Sequence, residues 1–199
     1  MCQLVESLKL KDGMIQNLDY HQKRMNYARE ELFQGYDPID LSAEISIPDN
    51  RKSGVFKVRI VYGCTIENIE IEPYQFRIIQ SLKVVHHESV DYHLKYKDRQ
   101  ILQELFAQRG SCDDIIIIKN GFVGDSFVSN LLFFNGEKWF TPTTPLLKGT
   151  KRQFLLEHGI ISEIEIREED IRNFQKVGMV NAMIDFEEMP VVEVEYIHF

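Results

Sequence analysis

The first third of the chain alternates between β-type and helical hydrophobic patterns. Residues 5–10 alternate in polarity, and the turn Lys11-Asp-Gly13 leads into Met14-Ile15, which predicts a β-hairpin. Residues 18–33 carry apolar side chains at helical spacing, with Asn17 placed to cap the predicted helix. Three further segments have the β-branched alternation of strands: 55–61, 66–71 and 75–79.

The second half of the chain is predicted to be rich in β-structure after one helix. That helix spans 98–108 and is stopped by Arg109-Gly110, and a buried strand follows at 114–119. Asn120-Gly121 is the strongest hairpin signal in the chain, and Asn135-Gly136 predicts a second hairpin joining 130–134 to 138–140. The remaining predicted elements are helices at 149–158 and 168–174 and short strands at 179–182 and 191–196.

A polar cluster, His86-His-Glu-Ser89, lies between these two halves and indicates a connection between domains. We therefore expect an N-terminal α/β domain at 1–82, a connection at 83–94 and a C-terminal domain at 95–199. The predicted fold class is α+β, with the larger, β-rich domain at the C-terminal end.

Composition narrows the class of protein. The 199 residues are 44% hydrophobic and 27% charged, which is enough for one substantial core or two small ones. A net charge of −8 argues against a nucleic-acid partner, and Ile115-Ile-Ile-Ile118 is too short an apolar run to cross a membrane. The three scattered cysteines, Cys2, Cys64 and Cys112, predict neither a disulfide framework nor a zinc site. We expect a cytoplasmic protein without a metal.

Candidate chemistry depends on an ordered set of motifs. Lys95 stands 30 residues before the run Asp125-Ser-Phe-Val-Ser-Asn130 and 54 before Gly149-Thr-Lys-Arg152, and Arg24 lies upstream in His21-Gln-Lys-Arg-Met25. In order and spacing, these residues resemble the class IV aminotransferase family, the pyridoxal-phosphate enzymes of fold type IV. The family includes branched-chain and D-amino-acid aminotransferases and 4-amino-4-deoxychorismate lyase. The resemblance implies the two-domain, D-amino-acid-aminotransferase-like fold and a homodimer.

The resemblance assigns covalent attachment of pyridoxal 5'-phosphate to Lys95. In Lys95-Tyr-Lys-Asp-Arg99 it takes the position of the lysine in the family's K-x-x-N-R pattern, with Asp98 in place of the usual asparagine. A free lysine amine can attack an aldehyde and later move protons at the α-carbon of a substrate. Two alternatives stay open: Lys97, if the register shifts by two, and an ordinary solvated lysine.

The run that begins at Asp125 resembles the family's E-x-x-x-x-N pattern, with Asp125 in place of glutamate and Asn130 matching. The resemblance implies that Asp125 keeps the pyridine nitrogen protonated and that Ser126 and Asn130 belong to the same site. The alternative is a simple turn in which Asp125 caps its own backbone.

The resemblance also implies a set of phosphate contacts. The family's G-I-x-R motif opens a helix whose first amides face the phosphate, its H-x-x-R-L element supplies an arginine, and an N-A-L segment closes the cup. The residues of this chain that match are Gly149, Thr150, Lys151, Arg24, Asn181 and Ala182. Two short segments favour the lyase branch: Asn181-Ala-Met183 and Arg152-Gln-Phe154.

Two strand residues are candidates for contact with the substrate. Ser7, in Val5-Glu-Ser-Leu-Lys9, resembles a threonine of the family's F-E-T-x-R strand and could relay a proton, whereas the alternative is an ordinary outward-facing serine. Arg59 could bind a substrate carboxylate, or it could be a half-buried arginine in a salt bridge. Longer relatives carry a further strand before this motif, so we expect a form reduced at its N-terminal end.

Four functions remain open from the sequence. The leading hypothesis is a lyase that eliminates pyruvate from an aminodeoxychorismate-type substrate, and the second is an aminotransferase acting on D-amino or branched-chain amino acids. A homologue that kept the fold and lost the chemistry is the third, and an unrelated α+β domain is the fourth.

Overall fold

The computed structural model describes residues 2–33 and 37–199 and divides the chain into two compact units. The first unit comprises the residues up to Phe76 together with Leu94–Asp98. The second unit comprises Arg77–His93 and Arg99–Phe199. The chain therefore passes from one unit to the other three times.

The first unit is an antiparallel sheet covered on one face by a helix. Its strands are β1 (Leu4–Lys11), β2 (Met14–Ile15), β3 (Val55–Tyr62) and β4 (Ile66–Pro73), in the order β2-β1-β3-β4. Helix α1 (Leu18–Leu32) follows β2, and the short helix α2 (Leu41–Glu44) precedes a 3-10 turn at Asp49–Arg51. The predicted hairpin, helix and strands at 55–61 and 66–71 are confirmed.

Side-chain alternation explains how this unit buries its core. Alternate residues of β1 pack against Met25 and Ala28 of α1, together with Val58 and Ile60 of β3. The β1 residues of this core are Leu4, Leu8 and Leu10. Asn17 stands at the N-cap of α1 as expected, but it is left-handed, with φ 53°, and its side chain makes no capping hydrogen bond to the described helix.

The predicted strand at 75–79 is wrong. The ladder of β4 ends at Pro73, and the last bond to β3 is donated by the Tyr74 N–H to the Val55 carbonyl. No strand of the described residues pairs with 75–79. Alternation alone does not form a strand, because each backbone N–H and C=O needs a partner strand. Ile78, within this segment, is 83% exposed.

The second unit contains two sheets. The strands β5 (Leu82–His86), β6 (Asp114–Lys119), β7 (Phe122–Val123) and β13 (Ile197–His198) form one, in the order β13-β5-β6-β7. The other has the order β10-β9-β8-β11-β12, with β8 (Asn130–Phe134), β9 (Trp139–Pro142), β10 (Ser162–Ile164), β11 (Lys176–Val180) and β12 (Val191–Glu193). Two helices accompany the sheets: α3 (Gln100–Ala107) and α4 (Thr150–Glu157).

Turn dipeptides and hydrophobic patterns predicted most elements of the second unit. The Asn120-Gly121 turn has φ 53° and 79° and joins β6 to β7, and the hairpin β8–β9 is also present. The helix predicted at 168–174 is a 3-10 helix, Glu168–Asn173. The strand predicted at 191–196 is shorter than expected, because β12 gives way to a 3-10 turn at Val194–Tyr196.

The segment 83–94, expected to connect two domains, contains most of β5. This strand pairs in parallel with β6, with Leu82 opposite Asp114. The first crossing between units falls instead between Phe76 and Arg77, and Leu94–Asp98 returns to the first unit. No helix in residues 2–33 or 37–199 is long and apolar enough to cross a membrane.

Candidate active site

Lys95 lies in the first unit, where its backbone extends the edge of β1. The Val5 N–H donates to the Lys95 carbonyl at 2.9 Å, and Tyr96 pairs with Leu4 in an antiparallel bridge. This edge is available because β2 pairs only with Leu10 and Lys11 of β1. Lys95 is half-buried and stands beside Val5, two residues from Ser7 along the strand.

The competing lysine, Lys97, has a different environment. Its Nζ donates to Gln3 Oε1 at 2.7 Å, and the side chain is exposed. Lys95, in contrast, is close enough to the buried His21 to act on its protonation. The pKa of His21 is lowered chiefly by burial, and the charge of Lys95 adds to that lowering. Lys95 therefore lies near the buried His21 and Lys97 is exposed, and which of the two holds the cofactor stays a prediction.

A buried ionic cluster joins β1 to α1. Arg24 donates from Nε to Glu6 Oε1 at 2.8 Å and from Nη2 to Glu6 Oε2 at 2.6 Å, while His21 Nδ1 lies 2.6 Å from Oε2. Glu6 is fully buried. Burial alone would raise the pKa of Glu6, but the charge of Arg24 and the hydrogen bonds outweigh it and lower the pKa to about 2.

Arg24 was assigned to the cofactor phosphate by resemblance, and that role stays a prediction. The structure shows what holds it: the side-on edge of its guanidinium is engaged by Glu6 in a bidentate fork. Sequence reasoning missed Glu6 as part of this arrangement. The available signal was a charged residue sharing the inward face of β1 with Leu4, Leu8 and Leu10.

Ser7 and Arg59 are direct cross-strand neighbours in the β1–β3 ladder, and both are half-buried. Arg59 also stands opposite Glu70 of β4, with Nη1 3.6 Å from Glu70 Oε2. This contact fits the alternative of a salt-bridged arginine. The proton-relay role of Ser7 and the carboxylate-binding role of Arg59 remain predictions.

Asp125 lies in the second unit, in the loop between β7 and β8. It is 6% exposed and pairs with Asn130 in an isolated antiparallel bridge. Its Oδ1 accepts from Asn130 Nδ2 at 2.7 Å, and its Oδ2 accepts from the Leu147 N–H at 2.9 Å. Burial raises the pKa of Asp125 to about 6, although these neutral donors and the charge of Arg152 oppose the rise.

Asn130 links Asp125 to the start of α4. Its Nδ2 also donates to the Leu147 carbonyl at 2.8 Å, and its Oδ1 lies against Gly149. A β-carbon added at Gly149 would stand 2.0 Å from that Oδ1, so any larger residue here must displace the Asn130 amide. The predicted grouping of Asp125, Asn130 and Gly149 is therefore present within one unit.

The N-terminal turn of α4 is buried. Gly149 occupies its N-cap, and Thr150 and Lys151 begin the helix at 3% and 8% exposure. Lys151 Nζ lies 3.5 Å from Asp185 Oδ1. Arg152, also buried, donates to Thr141 Oγ1 at 3.2 Å and to the Pro142 carbonyl at 2.8 Å, which ties α4 to the end of β9.

Asn181 and Ala182 follow β11 at the same end of the sheet, because Val180 stands opposite Asn130. Asn181 Nδ2 donates to Ser129 Oγ at 3.0 Å. Ser129 and Ser126 fold the loop before β8 through two bonds, from the Ser126 N–H to the Ser129 carbonyl and from the Ser129 N–H to Ser126 Oγ. Ser129 was not a predicted site residue, although the run that marks the site contains it.

Comparison with known proteins decides the family. The sequence profile of the family described as Amino-transferase class IV matches residues 3–194. The chain belongs to this family. The predictions of a class IV, pyridoxal-phosphate-dependent enzyme and of the corresponding fold are confirmed.

Three relatives are similar to this chain over most of its length. A solved structure from Haemophilus somnus 129PT, named a "putative 4-amino-4-deoxychorismate lyase", has a TM-score of 0.88 and 32% identity over 92% of this chain and 97% of its own. A Schizosaccharomyces pombe protein with the name "Putative aminodeoxychorismate lyase" is 26% identical, covering 87% of this chain and 83% of its own. An "Uncharacterized protein" of Haemophilus influenzae is 40% identical over 92% of this chain and 98% of its own.

Proposed function

We propose that this protein is a pyridoxal-phosphate-dependent lyase resembling aminodeoxychorismate lyase, which eliminates pyruvate from an aminodeoxychorismate-type substrate and leaves 4-aminobenzoate. The names of the relatives at 32% and 26% identity support the reaction class. The segments Asn181-Ala-Met183 and Arg152-Gln-Phe154, which resemble the lyase branch, support it as well. An aminotransferase for D-amino or branched-chain amino acids is the second candidate, since the family is described as Amino-transferase class IV and a matched structure is named a branched-chain amino acid aminotransferase.

The observation that carries the cofactor assignment, which both candidate reactions share, is the environment of Asp125. A buried carboxyl whose pKa is raised to about 6 gains most from a cationic partner, and a protonated pyridine nitrogen is such a partner. The donor set of the second unit fits the rest of the cofactor. The first amides of α4 suit a phosphate, and the Lys151 ammonium and the Asn181 side chain are polar groups of matching character.

When bound, pyridoxal phosphate supplies an electron sink that stabilises negative charge at the substrate α-carbon. Asp125 would hold the proton on the ring nitrogen, and Thr150 and Lys151 would bind the phosphate, with Gly149 allowing Asn130 to approach. Lys95 would attach the cofactor through Nζ and then move the proton at the α-carbon. Ser7, two residues along β1 from the pairing partner of Lys95, would relay a proton through its hydroxyl.

Borohydride reduction followed by peptide mapping tests the attachment. Protein mixed with pyridoxal phosphate and reduced is expected to carry the cofactor mass on the peptide containing Lys95. Fragmentation of that peptide then shows whether Lys95 or Lys97 carries the mass. Lys95→Ala should abolish the label and the yellow absorbance, whereas the control Lys97→Ala should keep both. Label on a peptide lacking Lys95 would overturn the assignment.

Incubation with different substrates distinguishes the two candidate reactions. The loaded protein is incubated with D- and L-amino acids plus 2-oxoglutarate, and separately with an aminodeoxychorismate-type substrate, with pyruvate as the readout. Only an aminotransferase converts the chromophore to the pyridoxamine form with each donor that it accepts. Pyruvate release without that conversion supports the lyase. Absence of both supports a homologue that retained only the fold.

The assembly and location of the protein are proposals from the same family membership. We propose a cytoplasmic homodimer that acts on a small amino substrate, without a nucleic-acid or membrane partner. Sedimentation of the loaded protein is expected to give twice the 23.4 kDa chain mass, and a monomer would contradict the expectation.

A further inference from the structure

We propose that Glu6 is a positioning residue that orients Arg24 for the phosphate of the cofactor. The inference rests on the proposed function and adds a residue that the motif resemblance did not assign. It depends on the geometry of the buried cluster formed by Glu6, His21 and Arg24 in the first unit, which is called the β1–α1 cluster below.

Glu6 constrains the guanidinium more tightly than an ordinary surface partner would. Both carboxylate oxygens are used, one by Nε at 2.8 Å and one by Nη2 at 2.6 Å, so the plane and the direction of the guanidinium are both determined. A carboxylate bound along the side-on edge leaves the end-on edge, formed by Nη1 and Nη2, facing away from it. That outer edge has the same fork geometry, which matches a phosphate.

His21 holds Glu6 in turn. Its pKa is lowered by burial, so the imidazole is neutral at pH 7, and its Nδ1 donates to Glu6 Oε2 at 2.6 Å. The carboxylate therefore accepts three hydrogen bonds while it is fully buried at a core position of β1. Glu6 cannot follow Arg24 if the arginine swings, because Leu4 and Leu8 on either side of it are themselves fully buried.

The charge balance shows why the arrangement is suited to a site that binds and releases an anion. Arg24 is 13% exposed, and an arginine buried to this degree needs a counter-charge. Glu6 supplies that charge permanently, so the guanidinium keeps one orientation whether or not a phosphate is present. A pre-oriented donor loses little conformational entropy on binding, which favours affinity.

The test compares cofactor affinity with and without the phosphate. Pyridoxal 5'-phosphate and pyridoxal are titrated by absorbance against wild-type protein, Glu6→Gln, Arg24→Ala and the double variant. Outer-shell partners that orient metal ligands contribute roughly 10- to 100-fold to metal affinity, and we take the same range for a residue that orients a phosphate ligand. We expect Glu6→Gln to weaken the binding of pyridoxal 5'-phosphate by that factor and to leave the binding of pyridoxal unchanged, because pyridoxal has no phosphate for Arg24 to contact.

The double variant separates positioning from general damage. If Glu6 acts through Arg24, then Glu6→Gln should have little further effect on phosphate-dependent affinity once Arg24 is alanine. Glu6→Asp, which keeps the charge, should recover part of the loss. Glu70→Gln, at the exposed partner of Arg59 in the same unit, is the matched control and should bind like wild type.

Each outcome decides the question. Equal weakening of pyridoxal and its phosphate, additive effects in the double variant, or unchanged or tighter binding by Glu6→Gln would overturn the inference. Should Glu6→Gln fail to fold, the same cycle with Glu6→Asp and Arg24→Lys decides it in the same way. Failure of the cofactor assignment, on which both candidate functions rest, would look different, because wild-type protein would then take up neither compound.

Discussion

Glu6 and Asp125 are both buried carboxyl groups, one in each unit, yet their pKa values are shifted in opposite directions. Glu6 has the guanidinium of Arg24 beside it, and its pKa falls to about 2. Asp125 is hydrogen-bonded by the Asn130 amide and the Leu147 N–H, both neutral, and its pKa rises to about 6. Burial acts on both in the same sense, so the charge of the partner decides the difference.

The charge of Glu6 is balanced within the protein, whereas the charge of Asp125 is balanced only in part. Glu6 has its counter-ion in the folded chain, so it stabilises the β1–α1 cluster without a ligand. Asp125 bears the desolvation cost of its charge with only partial compensation, so an external cation would lower its energy. A carboxyl of the first kind belongs to the scaffold, and one of the second kind is a candidate to contact a ligand.

The largest effect is expected from removing the carboxylate of Glu6. Glu6→Ala leaves Arg24 and His21 without their shared partner, and breaking a buried ion pair in this way costs about 3–5 kcal/mol of unfolding free energy. Urea denaturation measures the loss. Glu70→Ala, which removes an exposed partner of Arg59, should cost about 1 kcal/mol or less. Equal losses in the two variants would remove the distinction between a scaffold carboxylate and a surface one.

Asp125→Asn is expected to reduce turnover strongly and stability little. The substitution removes the charge that would keep the ring nitrogen protonated, and turnover should fall by about 10²–10³-fold, the range known for the loss of one oxyanion-hole donor. Stability of the cofactor-free protein at pH 8 should not fall in parallel, because the desolvated charge disappears as well. Asp91→Asn, at an exposed aspartate paired with His93, is the control. If the turnover of Asp125→Asn stays within threefold of wild type, Asp125 has no role with the cofactor.

The sequence predicted the parts of the molecule in which a local pattern is sufficient. Asn120-Gly121 forces left-handed backbone at both positions, so the β6–β7 turn followed from two residues. Residues 75–79 show the limit, because whether their alternation becomes a strand depends on a distant partner. The strand β5 was obscured by the polar residues that follow Val85, and it exists because β6 and β13 pair with its two edges.

The candidate site was predictable to a similar degree. Motif order predicted Lys95, Asp125 and Gly149 as site residues, but motifs do not show which side chains hold them. Glu6 can be recognised as part of the site only from the packing of α1 on β1. Ser129 can be recognised only from its contact with Asn181 at the end of β11. Both contacts join residues far apart in the chain, and single-sequence patterns contain no information about such pairs.

The two carboxyl groups should change the stability of the protein with pH in opposite directions. The folded pKa of Asp125, about 6, lies above its unfolded value, so its ionisation costs stability that is regained as the pH falls through 6. Relative to Asp125→Asn, the cofactor-free wild type should gain about 2 kcal/mol between pH 7 and 4.5. Glu6 contributes in the other direction: its stabilisation, about 3 kcal/mol, is complete above pH 4.5 and is lost towards pH 2.

Unfolding experiments at several pH values check both statements. The difference between wild type and Glu6→Gln should stay constant from pH 7 to 5, whereas the difference between wild type and Asp125→Asn should change over the same range. A constant difference for Asp125→Asn would mean that neutral donors compensate its charge fully, and the contrast between the two carboxyl groups would disappear.

The smallest expected effect tests how the neutral donors of Asp125 are kept in place. In Gly149→Ala the new β-carbon would stand 2.0 Å from Asn130 Oδ1, so the Asn130 amide must move away from Asp125. The crowding should cost about 1–3 kcal/mol. Loss of the amide bond should raise the pKa of Asp125 further, moving its pH-dependent step upward. Gly63→Ala, whose nearest neighbour to the added carbon is 3.5 Å away, is the control and should leave that step unchanged. An unmoved step in Gly149→Ala would mean that Asn130 does not govern the acidity of Asp125, and that burial alone sets it.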